Sequence, residues 1–152
     1  MFLLRLVHPD DLKEALSKYE EVIQKELARI IAISDLPAVS FAQYKQPSRG
    51  IGCGGQDLPL VAPAAYAASH GAVARLASKL SHPAFSSISR SQQKDQRLSN
   101  LVHHLAVAVN TDASKPLCPS LTAIADMPSQ FDLSDVLYKA KAQSLITAAA
   151  NP

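Results

Sequence analysis

Apolar side chains recur through the first third of the chain at Leu12, Leu16, Tyr19, Ile23, Leu27 and Ile30. Steps of 4, 3, 4, 4 and 3 add up to five turns of a straight α-helix. The pattern predicts a helix over Pro9 to Ile33, about 38 Å long, around which the rest of the chain is expected to pack. Pro9 occupies a first-turn position that needs no amide proton, and Asp10, Asp11 and Glu14 place negative charge at the helix N-terminus. Glu14–Lys18 and Glu21–Lys25 are i,i+4 pairs for the solvent side. The end differs from the start. Ile30-Ile31-Ala32-Ile33 is apolar all round and is expected in a core or an interface, before Ser34-Asp35-Leu36-Pro37 ends the helix.

Other patterns are shorter. Residues 2–7 and 38–44 read as two short strands of one small β element, the second from the alternation of Val39 and Phe41 with Ser40 and Gln43. The first of these, within an apolar arm over 1–8, reads equally well as a segment buried by a partner. Residues 45–63 form a long loop punctuated by Gly50, Gly52, Gly54, Gly55 and three prolines. A second helix is expected over 63–80, with Ala65, Ala68, Ala72, Leu76 and Leu80 inward. A third is expected over 87–110 on Leu98, Val102, Leu105 and Val109. The last runs over 133–149, with Asp132 as N-cap and Asp135 three residues on. The sum is a mainly α protein: an irregular bundle of about four helices in one domain over 1–152.

Composition agrees. At 152 residues, 47% hydrophobic, with no Trp and an apolar share that leans on Ala, the chain is long enough for its own core and suits close-packed helices. Its net charge of +2 implies no partner by itself, but the charge is unevenly spread. Lys and Arg number five against seven Asp and Glu over residues 1–35, seven against two over 36–110, and three against four over 111–152. A basic middle between acidic ends permits head-to-middle contacts between copies, or an anionic ligand. Cys53 and Cys118 have no metal or redox spacing, and no stretch is long enough to span a bilayer. The expectation is a soluble intracellular protein, cytoplasmic or within a particle.

Catalytic signatures fail on context. Gly50 to Gly55 satisfies G-x-G-x-x-G, but no βαβ pattern surrounds it and no helix is expected before Pro63, so a surface loop is preferred to a dinucleotide site. Cys53 has no local catalytic partner, and adjacent His103 and His104 diverge on a helix too far to share an ion. Asp10-Asp11 and Glu20-Glu21 diverge for the same reason and read as helix-end and surface charge. No enzyme activity, cofactor, metal or small-molecule substrate is expected, and no membrane.

Two surfaces remain. Arg90, Lys94, Arg97 and His104 share a face of the third helix, and Arg75 and Lys79 add an i,i+4 pair on the second. This is a candidate face for a protein partner or a polyanion such as nucleic acid, without aromatic side chains for base stacking. Phe2, Leu3, Leu4, Leu6, Ile30, Ile31 and Ile33 are the candidate interface. The balance favours a non-enzymatic assembly or adaptor subunit that buries apolar surface in a homo-oligomer or larger complex, of the kind found in capsid-like or nucleoprotein particles. A polyanion-binding module is the alternative.

Overall fold

The computed structural model describes residues 3–48, 52–80, 96–109 and 129–150. Among these there are six helices and no strand: α1 (Leu3–Leu6), α2 (Pro9–Ile30), α3 (Ala38–Tyr44), α4 (Leu58–Lys79), α5 (Gln96–Val109) and α6 (Gln130–Ala150). The mainly helical expectation holds, and the β element does not. Residues 3–6 form a helical turn with Leu4 buried, and 38–44 form α3. The alternation that suggested a strand competed with an i,i+3 pair, Phe41 and Tyr44, whose rings lie 6.2 Å apart and nearly parallel on one side of the helix. Phe41 is buried and Val39 is exposed, so the two do not share a face as a strand would require.

The organising element is α4, not α2. It touches α1, α2, α5 and α6. Val61, Ala62, Ala64, Ala65, Tyr66, Ala67 and Ala68 are all buried, so its first half is covered on every side. Small side chains allow that, because alanines let neighbouring helix backbones approach closely. One flank meets Leu98, Val102 and Leu105 of α5 with Leu133 and Leu137 of α6. The other meets Leu4, Leu12, Leu16 and Tyr138. Further along, Ala74 and Ala77 turn inward while Ala72, Leu76 and Leu80 are exposed, the reverse of the expected inner face. The α5 stripe stands as expected at Leu98, Val102 and Leu105.

Two helix starts also differ from expectation. Helix α4 begins at Leu58, with the Asp57 carboxylate accepting from the Leu60 amide at 3.2 Å, so Pro63 lies inside the helix. Helix α6 begins at Gln130. There the Ser129 hydroxyl accepts from the Asp132 amide at 3.2 Å and donates to the Asp132 carboxylate at 2.6 Å. Asp132 is thus the third residue of a capping arrangement begun by Ser129, not the cap itself.

Along α2 the buried side rotates. Leu12 and Leu16 pack toward α4, whereas Ile23, Leu27 and Ala28 pack with Leu36, Phe41 and Tyr44. Tyr19 and Ile30, both in the predicted stripe, are left exposed by that rotation. The helix ends at Ile30, and Ala32 follows with a left-handed φ of 57°.

Candidate functional site

The candidate interface divides. Leu4 is buried, while Leu3, Leu6, Ile30, Ile31 and Ile33 are 65%, 60%, 71%, 54% and 39% exposed. Phe2 lies outside the described residues. The expected insertion of the α2 end into a core of its own chain is therefore not seen: the isoleucines face solvent. Phe131, at the start of α6, is exposed as well.

The candidate basic face is described only in part. Arg90 and Lys94 lie outside the described residues. Arg97 turns toward the start of α2, donating to the Asp11 carboxylate at 2.9 Å and lying 3.1 Å from His8 Nδ1. The hydrogen bond from Arg97 holds the Asp11 carboxyl below its ordinary pKa. Arg97 is therefore a tie between α5 and α2. Arg75, Lys79 and His104 are exposed, His104 beside His103.

The glycines are explained by geometry. The Gly54 amide donates to the Gln46 carbonyl and the Gly55 amide to the Tyr44 carbonyl, both at 2.9 Å, so the loop folds back on the C-terminus of α3. A Cβ on Gly52 would lie 2.2 Å from the Gln46 backbone oxygen, and one on Gly55 would lie 2.4 Å from the Tyr44 ring. Gly54 has φ +85°, a conformation that favours glycine. The three described glycines of this loop thus serve close approach and a left-handed turn, and Gly50, which opens the fingerprint-like spacing, lies outside the described residues. A helix N-terminus does follow, earlier than the sequence suggested, but the buried Asp57 carboxylate occupies it where a phosphate would have to sit.

Asp57 is the residue that sequence reasoning missed. It is 1% exposed and gathers charges from three other segments. Its Oδ2 pairs with Lys141 of α6 and lies 3.6 Å from Lys45 Nζ at the end of α3, and Lys45 in turn pairs with Glu20 of α2. Lys45 also lies over the Phe41 ring, 4.9 Å from its centre. The Asp57 amide donates to the Tyr138 hydroxyl at 3.1 Å. Burial pushes the Tyr138 phenol above its ordinary pKa. Acid and base alternate as Glu20, Lys45, Asp57, Lys141, which compensates charge in a junction buried at Asp57 and Lys45 and open to solvent at its two ends. The available signal was Asp57-Leu58-Pro59, a cap residue two before a proline that favours a first turn. His8 was missed too. It is buried, and its Nδ1 accepts from the Asp10 amide at 3.3 Å, capping α2.

Beside the junction is a cavity of about 420 Å³ lined by Arg5, Gln56, Val61, Phe131 and Tyr138 among others. The Arg5 guanidinium at its edge donates to Gln130 Oε1 at 3.0 and 3.1 Å. Cys53 is exposed and unbridged, and Cys118 lies outside the described residues. Among the described residues no group of His, Cys, Asp or Glu has the arrangement to hold a metal ion, and no helix is long and apolar enough to cross a membrane. The chain matches no protein family, curated protein or solved structure in the comparisons made.

Proposed function

We propose that this chain is a non-enzymatic assembly or adaptor subunit that buries apolar surface in an oligomer or larger complex. One observation carries the reading: Leu3, Leu6, Ile30, Ile31 and Ile33, singled out by pattern alone, are all at the surface. Each aliphatic side chain of this size gains about 1.5–3 kcal/mol on full burial, and five of them left in water favour association. The charged junction around Asp57 is accounted for by structure, since it joins α2, α3, α4 and α6 with its ions compensated. It supports an architectural role for these groups over acid–base work. The polyanion alternative loses support at Arg97, which is engaged by Asp11.

Size-exclusion chromatography with light scattering, recorded at 260 and 280 nm with a hydrophobic dye added in parallel, tests the reading. With four Tyr and no Trp, even a little copurified nucleic acid dominates the absorbance ratio. An oligomer with a protein-like ratio, or a monomer that binds the dye strongly, supports assembly. A monomer that binds no dye overturns it. So does a high 260 nm signal that washes away with salt, which moves the cationic side chains to first place.

A further inference from the structure

We propose that the outward face of α2 is a homodimer interface in which two copies of the helix pack antiparallel. The inference rests on the assembly reading above and names its partner: a second copy of this chain.

The face is defined by Ala15, Tyr19, Val22, Glu26 and Ile30, all exposed. Successive helical residues turn by about 100°, which places these five within an arc of about 80°. Three of them, Tyr19, Val22 and Ile30, are large and apolar, at 45%, 58% and 71% exposure. The steps of 4, 3, 4 and 4 are those of a helix–helix seam, and α2 offers 22 residues, about 33 Å, for it. The arc adjoins the half-buried stripe of Leu12, Leu16 and Ile23. The apolar side of α2 is therefore wider than its own chain covers.

Complementarity sets the direction. Antiparallel packing about a two-fold axis beside Val22 places Ala15 opposite Ile30 of the other copy and Tyr19 opposite Glu26. A small side chain then faces a large one, and a phenol proton faces a carboxylate. Parallel packing would set Glu26 against Glu26 and Ile30 against Ile30. Charge on the face itself gives the same direction: Glu26 is the one charged residue of the five, and antiparallel packing keeps the two Glu26 carboxylates apart. The same arrangement brings the exposed Ile31 and Ile33 of one copy to the α1 end of the other, where Leu3 and Leu6 are exposed.

The test uses the full chain with Cys53→Ser and Cys118→Ser as background. In that background the variants Ala15→Cys and Ile30→Cys are made separately, mixed and oxidised mildly. A 15-to-30 cross-link is expected in the mixture, with little self-cross-linking of Ala15→Cys alone. Val22→Asp is expected to weaken the dimer by at least ~10-fold, about 1.4 kcal/mol, read by light scattering across a dilution series, with helical circular dichroism unchanged. Self-cross-linking of Ala15→Cys, or an oligomer that survives Val22→Asp and gives no 15-to-30 cross-link, overturns the antiparallel interface and leaves the assembly reading standing. A monomer that binds hydrophobic dye also overturns the dimer alone. A monomer that binds none overturns both. Should Val22→Asp lose its helical signal, the cross-linking pair decides.

Discussion

Helices α2 and α4 are equally long, 22 residues each, and they teach opposite lessons about hydrophobic pattern. The strongest periodicity in the sequence belongs to α2, yet only Ala28 within it is buried. Helix α4 shows almost no periodicity, and from Val61 to Ala68 every residue but Pro63 is buried. Both follow from one rule. A helix with a clear apolar stripe has a polar side to give to water and ends up on the surface, whereas a central helix must be apolar all round. Periodicity finds amphipathic helices, and so it overlooks the element on which they pack.

Core truncation sharpens this contrast most. Leu98→Ala, at a wholly buried position against α4, is expected to cost about 2–5 kcal/mol. Val22→Ala on exposed α2 is expected to cost no more than about 0.5 kcal/mol in dilute, monomeric protein. Urea titrations of both variants check the pair, and comparable losses would break the distinction.

Next in size is the charged junction where the two helices are joined through Lys45. Asp57→Ala removes the α4 cap and leaves Lys141 and Lys45 without their shared carboxylate. A loss of about 3 kcal/mol or more is expected. Asp57→Asn keeps a capping oxygen and recovers about 1 kcal/mol of it. Equal losses in thermal melts of the two variants would mean that the cap contributes nothing.

A third substitution has the opposite sign. Gln46 is 1% exposed, and its side-chain amide has no hydrogen-bond partner at either end among the described residues. Gln46→Met keeps the length and removes the unsatisfied groups, so a gain of about 1 kcal/mol is expected. Denaturant midpoints measure it, and a loss would show that the amide is satisfied by bound water.

The smallest effect is at the tie between α2 and α5. Arg97 holds the Asp11 carboxyl low, so its contribution is present above the ordinary value of 3.8 and is lost as pH falls through the depressed one. The carboxyl resonance of Asp11 is expected to titrate below 3.8, and in Arg97→Ala it should return to that value. An unchanged titration would remove Arg97 as the cause.

Sequence made the helical class and the α5 stripe legible because Leu98, Val102 and Leu105 meet one partner surface at a constant period. It misplaced the start of α4 because Asp57 followed a run of glycines that looked like continuing loop. The strand assignment failed for another reason. Seven residues are too few to separate alternation from an i,i+3 pair, and burial of Phe41 against Ala28 and Leu36 decided it. The junction of Glu20, Lys45, Asp57 and Lys141 could not be read at all. Its members are spread over more than a hundred positions, and only the packed helices bring them together. The exposed isoleucines were legible as apolar, but on which side of an interface they lie is a property of three dimensions.

Covering α4 on all sides has a consequence for the order of synthesis. Its early flank can close on α1 and α2 as soon as they have left the ribosome. The other flank waits for Leu133 and Leu137, beyond a gap of about 50 residues that takes roughly 3–10 s to translate. Leu98, Val102 and Leu105 of α5 can cover part of that flank first, and the part that α6 covers stands open until Leu133, Leu137 and Lys141 follow. Slowing translation after Lys79 prolongs that exposure, and premature termination before α6 leaves it permanent. A chain that stops short of α6 therefore lacks Leu133 and Leu137, and that part of the α4 flank has nothing to cover it.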